Sequence, residues 1–248
     1  MNFTVFDTET TSLDKPFCYN IGYVIADEKG NTLLSRDYVV EQIWHNLPLF
    51  NSAYYAEKRS LYITRMRIRT ATLDKYGYIC QQMARDFKQY NVERAFAYNS
   101  PFDEKVFNFN CDWFKCINPF DTVPIGDIRG FVHHFLVNER YKTFCEENGE
   151  FSDTGNYSTT AQTVYRFLKG NTDFEEEHTA LADSQIEMKI LLACVARGAD
   201  LTATYATQRS IERTVERTLC IVDTEKNDHF FRYNKIRINK ERTNITLT

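Results

Sequence analysis

Phe3-Thr4-Val5-Phe6-Asp7-Thr8-Glu9 is the stretch that decides the reading of this chain. It is a short apolar run that stops at an acid, and residues 3–7 are expected as a strand. An extended chain alternates its side chains, so Asp7 and Glu9 share one face at the strand's exit. Two neighbouring carboxylates there repel each other and resist desolvation. A divalent cation resolves that conflict, and so does simple solvation of a strand end. An Asp-x-Glu triplet arises by chance about once in a chain of ordinary composition. The meaning of the pair therefore depends on what surrounds it.

Working outward, residues 18–26 read as a second strand, rich in Ile, Val and Tyr. Asp27-Glu28-Lys29-Gly30-Asn31 is a turn cluster, and 32–40 reads as a third strand, close enough to the second for a hairpin. Leu73, Tyr76, Ile79, Cys80, Met83 and Phe87 recur at helical spacing, which predicts an amphipathic helix over 73–90. Residues 94–98 follow as a short strand. Ser100-Pro101 reads as a helix start, with Ser100 as N-cap and Pro101 in the first helical position. Further helices are expected over 131–147, 159–169 and 180–197, the last closed by Gly198. There are no repeats and no linkers rich in Gly, Ser or Pro. This order is α/β, with one antiparallel strand inside a mixed sheet.

Two more acidic clusters stand at element junctions. In Asn99-Ser100-Pro101-Phe102-Asp103 the acid falls in the first turn of a helix that follows a strand. Favourable interaction with the helix dipole is sufficient reason for an acid there. In His178-Thr179-Ala180-Leu181-Ala182-Asp183 the outer two residues are about 140° apart on a helix. They converge only if His178 lies in the loop before the helix, and the Glu175-Glu176-Glu177 run upstream suits such a loop. A surface or capping role would also account for His178. Taken together, the acids fall at strand ends or helix starts, which meet at one edge of an open sheet. Four carboxylates with an adjacent histidine form a constellation suited to two-metal hydrolysis. Mg²⁺ favours carboxylate and water ligands together with substrate phosphate oxygens.

Composition sets bounds on this. The chain has 248 residues and a formal charge of −4, with 43% hydrophobic and 26% charged residues. Those are globular values and exclude disorder as the main state. Only 9 Gly and 5 Pro argue against collagen-like and loop-built all-β designs. The 19 Phe and 15 Tyr can fill a core and can also stack on bases. The negative charge does not advertise nucleic-acid binding, so that function needs local patches or metal ions. No run approaches the roughly 18 apolar residues of a membrane span. Met1-Asn2-Phe3-Thr4 does not read as a signal peptide, so a cytoplasmic protein is expected. Seven scattered cysteines, Cys18, Cys80, Cys111, Cys116, Cys145, Cys194 and Cys220, read as reduced thiols. Cys111 and Cys116 are the one close pair. Their spacing to each other and to His133 and His134 does not suit a zinc knuckle, and they read as small, half-buried apolar residues.

The motifs Phe6-Asp7-Thr8-Glu9-Thr10-Thr11, Ala97-Tyr98-Asn99 through Asp103, and His178 through Asp183 resemble those of the DEDDh, or DnaQ-like, exonucleases. The resemblance covers about residues 1–197, and the segment from Asn138 through Asp183 looks especially like small exonucleases of tailed phages. It implies an RNase H-like fold with a mixed five-stranded sheet flanked by helices. It also implies removal of nucleoside monophosphates from a nucleic acid 3′ end, a single-stranded DNA end ahead of RNA. Asp7, Glu9, Asp103 and Asp183 would hold two Mg²⁺ or Mn²⁺ ions, with His178 as general base. Thr8, Thr10 and Leu13 would touch the terminal nucleotide, and Asn99 and Phe102 would line the site. Ser12 departs from the family, where many members carry glycine, and this bears on the local turn. If the chain is phage-encoded, its compartment would be the host cytoplasm. The readings that compete are an exoribonuclease and a non-catalytic module that binds nucleic acid or a polymerase.

Lys58, Arg59, Arg65, Arg67 and Arg69 fall in a window, 58–69, that holds no acid, and Tyr54, Tyr55 and Tyr62 interleave or precede them. This suits either a backbone-tracking groove or a solvated basic face. Residues 1–200 are expected as the exonuclease domain. Residues 201–248 read as an extension with a polar helix at 207–218 and a hairpin at 219–238, which could serve nucleic acid, a polymerase or self-association.

Overall fold

The computed structural model describes residues 1–207. Its central strand shows why the layers form. Strand β2 (Cys18–Asp27) is buried from Cys18 to Ala26, as a strand must be when both sheet faces are covered. It pairs antiparallel with β1 (Asn2–Thr10) and β3 (Thr32–Val40). The turn between β2 and β3 is fixed by Asp27, whose carboxylate accepts from the backbone of Lys29 and Asn31 and from the Asn31 amide. β1 pairs parallel with β5 (Val92–Ala97), and β5 with β6 (Ile125–Asp127). The described sheet, with β4 (Thr72–Asp74) at one edge, is β4-β3-β2-β1-β5-β6, and β2 runs against all the others. This is the mixed α/β, RNase H-like arrangement expected, with six strands rather than five.

The extra strand corrects the sequence reading. Thr72–Asp74 forms β4, parallel to the end of β3, so the expected helix over 73–90 begins later, as α4 (Tyr76–Gln89). Leu73 kept the helical spacing because an edge strand and the next helix both face the same core. The expected helix over 131–147 is two, α6 (Ile128–Phe135) and α7 (Glu139–Asn148), because Asn138 takes an extended backbone and caps the second. Helix α5 (Pro101–Phe114) starts at Pro101 as expected, but Ser100 does not cap it. The Ser100 hydroxyl donates to Glu104 instead. Helices α8 (Ala161–Lys169) and α9 (Ala180–Val195) fall where expected, and Gly198 has a left-handed backbone. Short helices α1 (Glu41–Trp44), α2 (Leu47–Phe50) and α3 (Arg59–Arg67) fill the span before β4.

Alternation along β1 separates the two cores. Phe6 points into the layer with α4 and α5, while Phe3 and Val5 point toward α6 and α9. Burial of each such side chain contributes about 1.5–3 kcal/mol. Past α9, Leu201 is buried and Tyr205 packs on Phe131, His134 and Phe135. The Arg94 guanidinium donates to the carbonyls of Leu201 and Thr202. Residues 201–205 thus lie on the same fold as those before 200. The helix expected at 207–218 (but for residue 207) and the hairpin at 219–238 lie outside the described residues. No described helix is long and apolar enough to cross a membrane.

Gly22 sets the position of α9. A Cβ there would lie 2.0 Å from the Leu181 nitrogen and 2.2 Å from the Ala180 carbonyl carbon. The Ser184 hydroxyl donates to the Gly22 carbonyl at 3.0 Å, and the Ala180 N–H donates to Asn20 Oδ1 at 2.9 Å. The helix start is therefore seated on bare backbone beside β1. Gly22→Ala should lower stability by about 3 kcal/mol, the upper range for overpacking, read as a fall in the urea midpoint. An unchanged midpoint would mean that α9 does not sit this close to the sheet.

Candidate active site

The side chains on β1 repeat the split between the two cores. Asp7 and Glu9 follow Phe3 and Val5 on the face toward α9. Asp7 pairs with Gly22 across the antiparallel ladder, so the close approach that seats α9 lies next to Asp7. Asp183, in the first turn of α9, is thereby brought over the strand. Carboxylate oxygens of Asp7, Glu9 and Asp183 all lie within 4.8 Å of one another. β1 and β5 run in parallel, so the end of β1 and the start of α5 share one sheet edge. Asp103 enters from that side, buried in the first turn of α5. It is not one of that close group of three, and its Oδ1 accepts from the Thr8 hydroxyl at 2.7 Å.

A fifth acid, Glu187, belongs to the same neighbourhood and was missed in the sequence. It lies one helical turn after Asp183 and is buried. Its i+4 spacing from Asp183, on a helix whose inward residues beyond it are apolar, was the available signal. Burial pushes Asp103 and Asp183 up to about 7 and raises Asp7, Glu9 and Glu187 well above the carboxylate range. Mutual repulsion adds to this: after burial, Glu187 and Asp103 are the main causes at Asp7, and Asp183 at Glu9. Asp183 Oδ1 and Glu187 Oε2 are buried with no hydrogen-bond donor. An all-oxygen donor set with orphaned carboxylate oxygens fits a hard divalent cation such as Mg²⁺ or Mn²⁺.

His178 lies in the loop before α9, as its spacing to Asp183 required, and its backbone is left-handed (φ 51°). The imidazole is half-buried and stacked on Tyr55, with ring centroids 4.5 Å apart and planes 11° from parallel. Its Nδ1 lies 3.8 Å from Glu176 Oε2. Glu176 is the least exposed member of the acidic run, and burial pushes it up to about 7. Burial, with Lys58 adding, lowers the His178 pKa. The loop is anchored from behind. Arg65 donates to Asp37 and Thr179 at 3.1 Å and pairs with Glu177. Asp37 in turn accepts from Asn20, whose Oδ1 holds the start of α9.

The remaining predicted residues divide. Lys58 sits at the site: its ammonium lies 4.5 Å over the Tyr55 ring, donates to the Glu177 and His178 carbonyls, and lowers Glu9 and Asp183. Arg59 and Arg65 are spent inside the fold, Arg59 stacked over Trp44 at 3.8 Å. Tyr62 is buried, whereas Tyr54, Arg67 and Arg69 are exposed. Leu13 is 75% exposed in the loop after β1, and the Lys105 ammonium donates to its carbonyl. The Thr10 hydroxyl donates to the Ser12 carbonyl. Ser12 itself has no left-handed backbone, so a serine in place of the glycine creates no strain. Asn99 is exposed and left-handed, its N–H donating to Asp127. Phe102 is half-buried against the core.

No protein-family model and no curated protein matches the chain. Solved structures do. E. coli Exonuclease I in complex with a 5cy-dT13 oligonucleotide superposes with a TM-score of 0.50 at 15% identity, over 79% of this chain and 40% of that one. An SSB/Exonuclease I complex with the inhibitor CFAM gives 0.51 at 14% identity, over 79% and 42%. Exonuclease I from Methylocaldum szegediense gives 0.50 at 15%, over 79% and 41%. The chain thus spans about two-fifths of the length of these structures. At that identity the likeness establishes a shared fold. It lends no support to the particular likeness to phage enzymes.

The raised carboxylates make a signed prediction. The folded protein holds protons that the unfolded chain releases near pH 4. In chelator, stability should therefore be highest below about pH 4 as far as these groups contribute, and be lost as pH rises through about 7. Urea midpoints at pH 5 and 8 would show the fall, and Asp7→Asn should flatten it while raising the midpoint at pH 8. A profile flat or rising over this range would contradict the burial of ionised acids.

Proposed function

We propose that this chain is a metal-dependent 3′–5′ exonuclease that shortens DNA from its 3′ end and releases nucleoside monophosphates. The observation that carries the reading is the convergence of Asp7, Glu9 and Asp183, with Asp103 and Glu187 beside them, at one sheet edge. The fold shared with Exonuclease I, solved with a bound oligonucleotide, supports it. Asp7, Glu9, Asp183 and Asp103 would hold two Mg²⁺ or Mn²⁺ ions, which when bound activate water as a nucleophile and stabilise the leaving 3′ oxygen.

The chain's own residues do the rest. His178 accepts the proton of the attacking water at Nε2, since Nδ1 faces Glu176. Tyr55 holds the imidazole plane, and burial with Lys58 keeps it neutral and able to accept. Thr8 fixes Asp103 through its hydroxyl rather than touching substrate. Leu13, a large apolar side chain left in solvent at the end of β1, packs on the terminal base, with Thr10 beside it. Asn99 and Phe102 line the side formed by α5. Arg67, Arg69 and Tyr54 are free to meet the phosphate backbone and bases further along the strand. We assign this unit to residues 1–200 together with the packed segment at 201–205.

The test is digestion of 5′-labelled oligonucleotides in Mg²⁺: single-stranded DNA, duplex DNA with a paired or mismatched 3′ end, and RNA. A descending ladder lost with chelator and in Asp7→Ala is expected, fastest on DNA. Faster loss of RNA would reassign the enzyme as an exoribonuclease. No cleavage in Mg²⁺ or Mn²⁺ would favour the non-catalytic binding module.

Two variants probe the base. His178→Ala should slow turnover by on the order of 10²–10⁴-fold while oligonucleotide binding persists. Lys58→Met should move the acidic limb of the pH–rate profile to higher pH, because a cation that disfavours imidazolium is removed. Unchanged turnover in the first, or an unmoved limb in the second, would take His178 out of this role.

A further inference from the structure

Cys80, Cys111 and Cys116 come together in the layer of α4 and α5, away from the carboxylates. Cys80 lies in the second turn of α4 and Cys111 in the last turn of α5. Lys115 then takes a left-handed backbone that turns the chain back, and the Cys116 N–H donates to the Cys111 carbonyl at 3.1 Å. That turn brings Cys116 onto the other two, and the three Sγ atoms lie within 4.8 Å of one another. Cys80 and Cys111 are buried, while Cys116 keeps part of its surface in solvent. Cys80, distant in sequence, is the partner that the spacing of Cys111 and Cys116 could not disclose. His133 and His134 are on α6, in the other layer.

Three packed thiols would ordinarily act as small apolar groups. One observation sets this group apart. Tyr76, one turn before Cys80, is completely buried and its hydroxyl has no hydrogen-bond partner. The three thiols, with Cys18, bear on that hydroxyl electrostatically, Cys80 most. The Cys111 thiol donates to the Ile117 carbonyl at 3.3 Å, a bond that a cation would replace.

We propose that Cys80, Cys111 and Cys116 form a thiolate site for one zinc ion, with a solvent molecule as fourth ligand on the exposed side of Cys116. Zn–S bonds of about 2.3 Å in a tetrahedron place sulfurs about 3.8 Å apart, a contraction of about 1 Å or less from the separations here. Binding forms three Zn–S bonds and releases the three thiol protons to solvent. The neutral Tyr76 hydroxyl then has an acceptor, donating to a thiolate sulfur, the kind of outer contact that orients metal ligands. The ion would tie α4 to the end of α5, the helix whose first turn presents Asp103.

The experiment titrates the reduced, metal-free full chain with Cd²⁺, a spectroscopic stand-in for Zn²⁺. Thiolate ligands give an ultraviolet charge-transfer band that carboxylates do not, which separates this site from the acidic one. The band should saturate at one Cd²⁺ per chain, disappear when Zn²⁺ is added in excess, and persist in Asp183→Asn. It should fall by more than half in Cys116→Ser, a variant at a partly exposed position that leaves the core packed. Absence of the band in the wild-type chain would overturn the proposal. So would a band undiminished in both Cys116→Ser and Cys80→Ser, which would assign it to Cys18, Cys145, Cys194 or Cys220.

Discussion

The first turn of α9 rests on the backbone of Gly22, and the arrangement of the acidic site depends on that contact. Across the ladder from Gly22 stands Asp7, so a helix that can touch β2 backbone to backbone must deliver its own first-turn acid to the end of β1. Asn20 and Ser184 complete the seat with hydrogen bonds, and both are buried. The same Asn20 links through Asp37 and Arg65 to Glu177 and Thr179, on either side of His178. One close approach thus fixes a helix, a carboxylate and the loop that carries the histidine.

This arrangement is unfavourable in its own terms. Buried carboxylates within a few ångströms of each other carry desolvation and repulsion together. Lys58 eases Glu9 and Asp183, but it is one charge among five acids. The two apolar layers, with Phe6 on one side and Phe3 and Val5 on the other, hold the strand in place against that repulsion. Structures keep such strain where function uses it. A cation that satisfies the orphaned oxygens of Asp183 and Glu187 would convert the repulsion into binding energy.

Much of this was legible in the sequence because strand ends and helix starts are marked locally. Asp7 and Glu9 are placed by alternation, Asp103 by Pro101, and His178 by its distance from Asp183. The order β2-antiparallel in a mixed sheet followed from the hairpin at 27–31. What was not legible depended on tertiary contact. Thr72–Asp74 became an edge strand only because β3 extends far enough to pair with it. Glu187 reads as one more polar residue until α9 is seated. Arg59 and Arg65 read as surface charges, yet Trp44 and Asp37 claim them. Tyr55, read as one of the rings beside either a groove or a solvated basic face, stacks on the histidine.

If the carboxylate cluster is a cation site, its acids destabilise the fold until an ion is present. The most direct test is the thermal midpoint at pH 8 in saturating Mn²⁺ against chelator, for the wild-type chain and Asp183→Asn. At 100 times its dissociation constant, an ion bound only by the folded state would add about 2.7 kcal/mol to the wild-type stability. A cation site at the cluster requires a higher midpoint with Mn²⁺ in the wild type, and little or no rise in Asp183→Asn. A wild-type midpoint that Mn²⁺ does not move, or an equal rise in both proteins, would contradict it.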